Sequence, residues 1–74
     1  MFATVTSLEV NAIGEDAGRI WTYLKENGGE ATAAATKKAL DFKGDTWAFA
    51  IGWLAREGSI DLRKKGTSTR IFLV

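Results

Sequence analysis

The chain of 74 residues contains neither cysteine nor histidine. Disulfide bonds and the usual zinc sites are therefore excluded. A chain this short buries only about 60% of its unfolded surface, so it usually needs an additional source of stability. The two that remain are association with a second copy and dense aromatic packing. Beyond residue 10 the aromatic side chains are Trp21, Tyr23, Phe42, Trp47, Phe49, Trp53 and Phe72.

Long apolar runs are also missing. No run approaches the ~20 residues that a membrane span requires. Residues 1–5 show neither the basic nor the apolar segment of a secretory signal. We therefore expect a soluble, cytoplasmic protein that makes no membrane contact.

Groups suited to catalysis are scarce. Without histidine or cysteine, an enzyme needs paired carboxylates, a lysine, or a serine with an unusual base. Glu15 and Asp16 are adjacent, so on a helix they diverge by about 100°. Asp41 and Asp45 bracket a turn, but Asp45 is better explained as a helix cap. The glycines match no phosphate-binding loop. We expect no enzymatic activity, no metal or cofactor, and no small-molecule substrate.

Acidic residues become rare toward the carboxyl terminus. The net charge is only +1, yet residues 1–36 hold two basic and five acidic residues, and residues 37–74 hold eight basic and four acidic ones. No acidic residue follows Asp61. This asymmetry is typical either of a face turned toward a polyanion or of a solvated surface with chance clustering.

The clearest apolar period predicts a first helix over residues 12–27. Asn11 can cap its start, and Gly28 and Gly29 supply the left-handed residue that ends it. The apolar stripe, spaced as one face of a helix, consists of Ile13, Ala17, Ile20 and Leu24.

The residues before this helix alternate loosely. We assign residues 1–11 to an amino-terminal extension and residues 12–74 to the domain. Over residues 1–10 the pattern predicts either a short strand or a disordered tail.

A second helix is predicted over residues 33–40, with Thr32 as its cap. Lys37 and Lys38 lie in its last turn, where they complement the helix dipole. Its apolar positions are mostly alanines, so weak anchoring is expected.

A third helix is predicted over residues 46–57, with Asp45 as its cap and Gly58 as its left-handed end. Its core face carries Trp47, Ala50, Ile51 and Leu54. The opposite face carries Asp45, Phe49, Gly52 and Arg56, with Ala48 and Trp53 at its margins. Base readout requires donors such as Arg, Lys, Asn or Gln, so we do not expect this helix to read sequence. Phe49 and Trp53 either extend the core or form an exposed patch typical of a protein interface.

Two short alternating segments follow, over residues 59–63 and 68–74, joined by the basic tip at residues 64–67. Phe72 and Val74 fall opposite the other apolar residues of the last segment, so that strand is apolar on both faces. Residues 2–8 or a second subunit would have to cover them. A helix followed at once by a hairpin with a basic tip predicts an α+β fold, the winged helix-turn-helix, with three helices before a carboxyl-terminal hairpin.

Two runs carry a family resemblance. Residues 52–57 read Gly-Trp-Leu-Ala-Arg-Glu at the close of the third helix, and residues 13–21 read Ile-Gly-Glu-Asp-Ala-Gly-Arg-Ile-Trp. Over residues 12–74 the chain resembles a small bacterial family of winged helix-turn-helix domains of unknown function. The resemblance implies the fold and little about function. Thr36 stands where a leucine would be expected, which predicts loose packing of the second helix.

Two functions are compatible with these patterns. The first is weak or low-specificity DNA binding through phosphates in a regulatory context, using Lys37, Lys38, Lys43, Arg56, Arg63, Lys64, Lys65 and Arg70. The second is a protein-interaction or homodimerisation module that uses Phe49, Trp53, Phe72 and Val74. The basic tip has a simpler explanation as well, because charge on a hairpin keeps it soluble and blocks edge pairing.

Overall fold

The computed structural model describes residues 8–42 and 44–74. The elements follow the order α1 (Leu8–Glu26), β1 (Glu30–Thr32), α2 (Ala33–Ala39), α3 (Thr46–Arg56), β2 (Ile60–Lys65) and β3 (Ser68–Leu73). The strands form one antiparallel sheet in the order β1-β3-β2. The predicted α+β class, with three helices before a carboxyl-terminal hairpin, is confirmed.

Helix α1 starts earlier than predicted. It begins at Leu8, so Asn11 lies inside the helix and its prediction as a cap is wrong. Residues 8–10, where the pattern predicted either a short strand or a disordered tail, belong to this helix, and residues 1–7 lie outside the described residues. The end is as predicted: Gly28 and Gly29 have φ of +80° and +89°.

Strand β1 has no counterpart in the sequence prediction. It spans only Glu30–Thr32 and pairs with β3, placing Glu30 opposite Phe72. The hairpin is also tighter than predicted, because β2 continues to Lys65 and leaves a two-residue turn at Gly66 and Thr67. The sheet therefore has three strands where the sequence predicted two.

Helix α2 is well anchored at its start. The Thr32 hydroxyl accepts a hydrogen bond from the Ala35 amide at 3.1 Å, which confirms the predicted cap. Thr36 is fully buried, and its hydroxyl donates to the Thr32 carbonyl at 2.8 Å. The loose packing expected from Thr36 is not observed, because this bond within the helix lets a small polar side chain be buried.

Helix α3 has the predicted bounds to within one residue. Asp45 occupies the cap position, but its side chain makes no capping hydrogen bond and its backbone is helical, so that prediction is wrong. Gly58 ends the helix with φ +76° as expected, and the Ser59 amide donates to the Leu54 carbonyl at 3.0 Å. This turn leads directly into β2.

The core lies between the helices and one face of the sheet. Its buried apolar side chains are Ala17, Ile20, Leu24, Phe42, Ala50, Leu54, Ile60 and Ile71. The predicted core face of α3 is confirmed: Ala50 and Leu54 are buried, and Trp47 and Ile51 pack against the cluster while partly exposed. No helix in the described part of the chain is long and apolar enough to cross a membrane.

Candidate functional site

One face of the sheet is turned away from the helices. Successive side chains of a strand point to opposite faces. Because Ile60 and Ile71 are buried in the core, the residues that alternate with them lie on the other face. The strand register therefore defines an outer sheet face made of Glu30, Thr32, Asp61, Arg63, Lys65, Ser68, Arg70 and Phe72.

Two arginines face each other on the outer sheet face. Arg63 pairs directly with Arg70 across the strands, and like charges in that position repel each other. Each is accompanied by a carboxylate: Arg63 Nε donates to Asp61 at 3.2 Å, and Arg70 Nε donates to Glu30 at 3.2 Å. All four side chains are about half exposed or more, so these ion pairs are weakly held and exchangeable.

The same face carries an aromatic ring beneath a cation. The Arg63 guanidinium lies 4.7 Å from the centroid of the half-buried Phe72 ring. The sequence pattern required another group to cover Phe72. Among the described residues, the Arg63 guanidinium covers it. Val74, by contrast, is 86% exposed.

Three of the four predicted hairpin cations, Arg63, Lys65 and Arg70, share the outer sheet face, whereas Lys64 alternates with them along β2 and points to the opposite face. A cavity of about 410 Å³ is lined by Arg63, Lys64, Lys65, Ser68, Arg70 and Phe72. Lys64 and Lys65 are exposed and make no ion pair within residues 8–42 and 44–74. The hairpin therefore keeps two cations available for an external anion.

The remaining predicted cations lie elsewhere. Lys37 and Lys38 are exposed on α2 and line a separate cavity of about 350 Å³. Arg56 is exposed in the last turn of α3. Lys43 lies outside the described residues. The candidate set thus divides into a hairpin group, an α2 pair and a single arginine.

Helix α3 exposes an apolar surface. Phe49 and Trp53 are 53% and 50% exposed, so they do not extend the core, and the alternative of a surface patch is the one observed. Ala48 and Gly52 are exposed beside them. We call these four residues the α3 patch.

Two acidic partners of the hairpin escaped the sequence analysis. Glu30 reaches Arg70 from 40 positions away along the chain, and no local pattern signals a contact of that separation. Asp61 lies two residues from Arg63, and strict alternation along β2 already placed these two side chains on one face.

The order of helices and strands, with a hairpin directly after the third helix, defines a winged helix-turn-helix domain. Over residues 8–73 the chain matches the family described as winged helix-turn-helix domain (DUF2582), and it belongs to that family. The resemblance found in the sequence is thereby confirmed. Comparison with the curated proteins and with the solved structures gave no match.

Proposed function

We propose that this domain binds DNA through phosphate contacts, with little dependence on base sequence and without enzymatic activity, in a regulatory setting in the bacterial cytoplasm. The observation that carries the proposal is the group of four cations on the hairpin, three of them on the face that holds the cavity, of which Lys64 and Lys65 have no ion pair among the described residues. Flexible cations beside a tight turn suit contact with a phosphate backbone.

The surface of α3 supports the low specificity. In winged helix-turn-helix proteins this is the helix offered to the major groove. Here its exposed residues are the α3 patch, Ala55 and Arg56. Only Arg56 carries a donor suited to base edges, so affinity without sequence preference is the expected result.

The acidic partners support weak binding. Asp61 and Glu30 already neutralise part of the charge of Arg63 and Arg70. A polyanion must compete with these carboxylates, and the whole chain carries only +1. Lys37 and Lys38 on α2, with Arg56 and Lys43, would supplement the hairpin contacts.

A shift assay with several unrelated duplexes over a salt series tests the proposal. Neutralising Arg63, Lys64 and Lys65 together to glutamine should reduce the slope of log affinity against log salt by up to about 0.9 for each phosphate that is no longer neutralised. Lys25→Gln on α1, whose ammonium lies over Trp21, is the control and should leave the slope nearly unchanged.

Two results would contradict the proposal. A triple variant with the parent's affinity and slope would remove the hairpin from the interface. A preference of about a thousandfold for one duplex would show specific readout, and the low-specificity part would fail.

A second candidate function rests on a different observation, the exposure of Phe49 and Trp53. Large exposed apolar side chains next to each other are typical of protein interfaces. The domain would then associate through α3, with a second copy or another protein. Light scattering at tens to hundreds of micromolar tests self-association, and a monomer of 8.0 kDa throughout would contradict it.

A further inference from the structure

We infer that the outer sheet face binds single-stranded nucleic acid, with an unpaired base held in the cavity beside Phe72 and the flanking phosphates held by Lys65 and Arg70. This inference rests on the proposed nucleic-acid binding and names the form of nucleic acid that the hairpin takes.

The outer sheet face and α3 lie on different sides of the domain. Ile60 and Ile71, on the opposite face of the sheet, share one buried cluster with Leu54 of α3 and Ile20 of α1. Arg63, Lys65 and Arg70 therefore point away from the helices. A duplex that received α3 in its major groove would not present its backbone to that face.

The cavity combines planar side-chain groups with positive charge. The Arg63 guanidinium lies 4.7 Å from the centroid of the Phe72 ring, and both residues line the cavity. Unpaired bases stack on aromatic rings and on arginine planes, so a base can replace the exposed Arg63 guanidinium over the Phe72 ring. A paired base inside a duplex is already stacked on both sides, so only an unpaired base can use such a site.

The charge distribution suits a single nucleic-acid strand that crosses the sheet. Three cations, Arg63, Lys65 and Arg70, point to the face that holds the cavity, and carboxylates on Asp61 and Glu30 accompany two of them. A flexible single strand can place successive phosphates near the turn and near β1 while one base enters the cavity. The cross-strand repulsion between Arg63 and Arg70 falls when a phosphate lies close to both.

Fluorescence anisotropy with a labelled oligothymidine of about 12 nucleotides, a length within the range such sites cover, compared with a duplex of equal length, tests the inference on the full chain. The parent should bind the single strand more tightly. Phe72→Leu keeps an apolar side chain and removes the ring, so single-strand affinity should fall about 5- to 150-fold while duplex affinity is unchanged. Phe49→Leu, on the exposed surface of α3, is the matched control and should change neither.

A second variant gives a readout independent of affinity. Phe72→Trp keeps a stacking surface and places an indole in the cavity, so its emission should be quenched when oligothymidine binds. The parent, with its three tryptophans elsewhere, supplies the background. This measurement decides the question if Phe72→Leu fails to fold.

The outcomes separate this inference from the proposed function. Duplex binding that depends on the hairpin, without tighter single-strand binding, would overturn the inference alone. Equal losses for both ligands in Phe72→Leu, or no quenching in Phe72→Trp, would overturn it too, since Phe72 would then only support the hairpin. Binding of neither ligand would overturn both.

Discussion

The α3 patch and the outer sheet face both present aromatic rings, but with opposite surroundings. Phe49 and Trp53 are about half exposed among small neighbours such as Gly52. Phe72 lies under a guanidinium and beside a cavity on the face that carries Arg63, Lys65 and Arg70. An apolar surrounding favours a partner that excludes water, whereas a cationic one favours a polyanion. The helix that commonly reads DNA in this fold is thus the less suited of the two surfaces to nucleic acid.

The α3 patch and the outer sheet face are independent of each other in the structure. The two surfaces are joined by the buried cluster and by the turn at Gly58, and none of their side chains contributes to the fully buried core. Substitutions on one surface should therefore leave the other intact, while substitutions in the core should abolish both.

The largest effect is expected from a substitution in the buried core, which supports both surfaces. Ile20 is fully buried in α1, so Ile20→Ala should cost about 2–5 kcal/mol of unfolding free energy through reduced burial and a residual cavity. Urea titration measures the change, and both proposed binding activities should decline with the folded fraction. An unaltered denaturation midpoint would show that the core is not where the burial pattern places it.

The next effect separates the two surfaces. Replacing Phe49 and Trp53 together by serine should weaken self-association at least about 30-fold, the size expected for truncated aromatic residues at an interface centre. Analytical ultracentrifugation measures the association, and nucleic-acid affinity should be unchanged because the outer sheet face is not touched. A parallel loss of nucleic-acid binding would mean that α3 belongs to that interface.

Local patterns predicted the helices of this molecule better than its strand pairing. The stripe from Ile13 to Leu24 and the core face of α3 repeat at helical spacing, so the sequence alone located both. Strand β1 has three residues, which are too few for an alternating pattern. It is a strand because it pairs with β3. Its contribution to the candidate site, Glu30, was missed for the same reason.

Capping and exposure depended on surroundings that the sequence does not specify. Asn11 and Asp45 are residue types that often cap helices, but one lies inside α1 and the other makes no capping bond. The helical periodicity of α3 predicted that Phe49 lies opposite the core. It did not show whether another element covers that side chain. The hairpin cations were predicted as a group because they are close in sequence, and their roles in binding stay predictions.

A smaller effect is expected at Gly58, in the turn that connects the two surfaces. Gly58 adopts φ +76° with open space around its α-carbon, so Gly58→Ala should cost about 1–2 kcal/mol from backbone strain alone. Thermal unfolding measures the change.

Gly52→Ala is the matched control within α3. Gly52 has helical backbone and equally open space, so alanine should stabilise the domain by about 0.5–1 kcal/mol. If a partner packs closely on the α3 patch, the same added methyl should weaken self-association despite the higher melting temperature. Unchanged association would show that the interface avoids Gly52.

The smallest effect on stability tests the outer sheet face most directly. Glu30→Gln removes the carboxylate that accompanies Arg70, and because that ion pair is about half exposed, the unfolding free energy should change by no more than about 1 kcal/mol. Affinity for single-stranded nucleic acid should nevertheless rise at low salt, since Arg70 is released to bind phosphate. The slope of log affinity against log salt should steepen by up to about 0.7 for one additional neutralised phosphate, and the rise in affinity should fade as salt screens it. Glu26→Gln, exposed at the end of α1, changes the net charge equally and serves as the control. Equal rises in both variants would assign the effect to overall charge, whereas a rise confined to Glu30→Gln would place the bound phosphate beside Arg70.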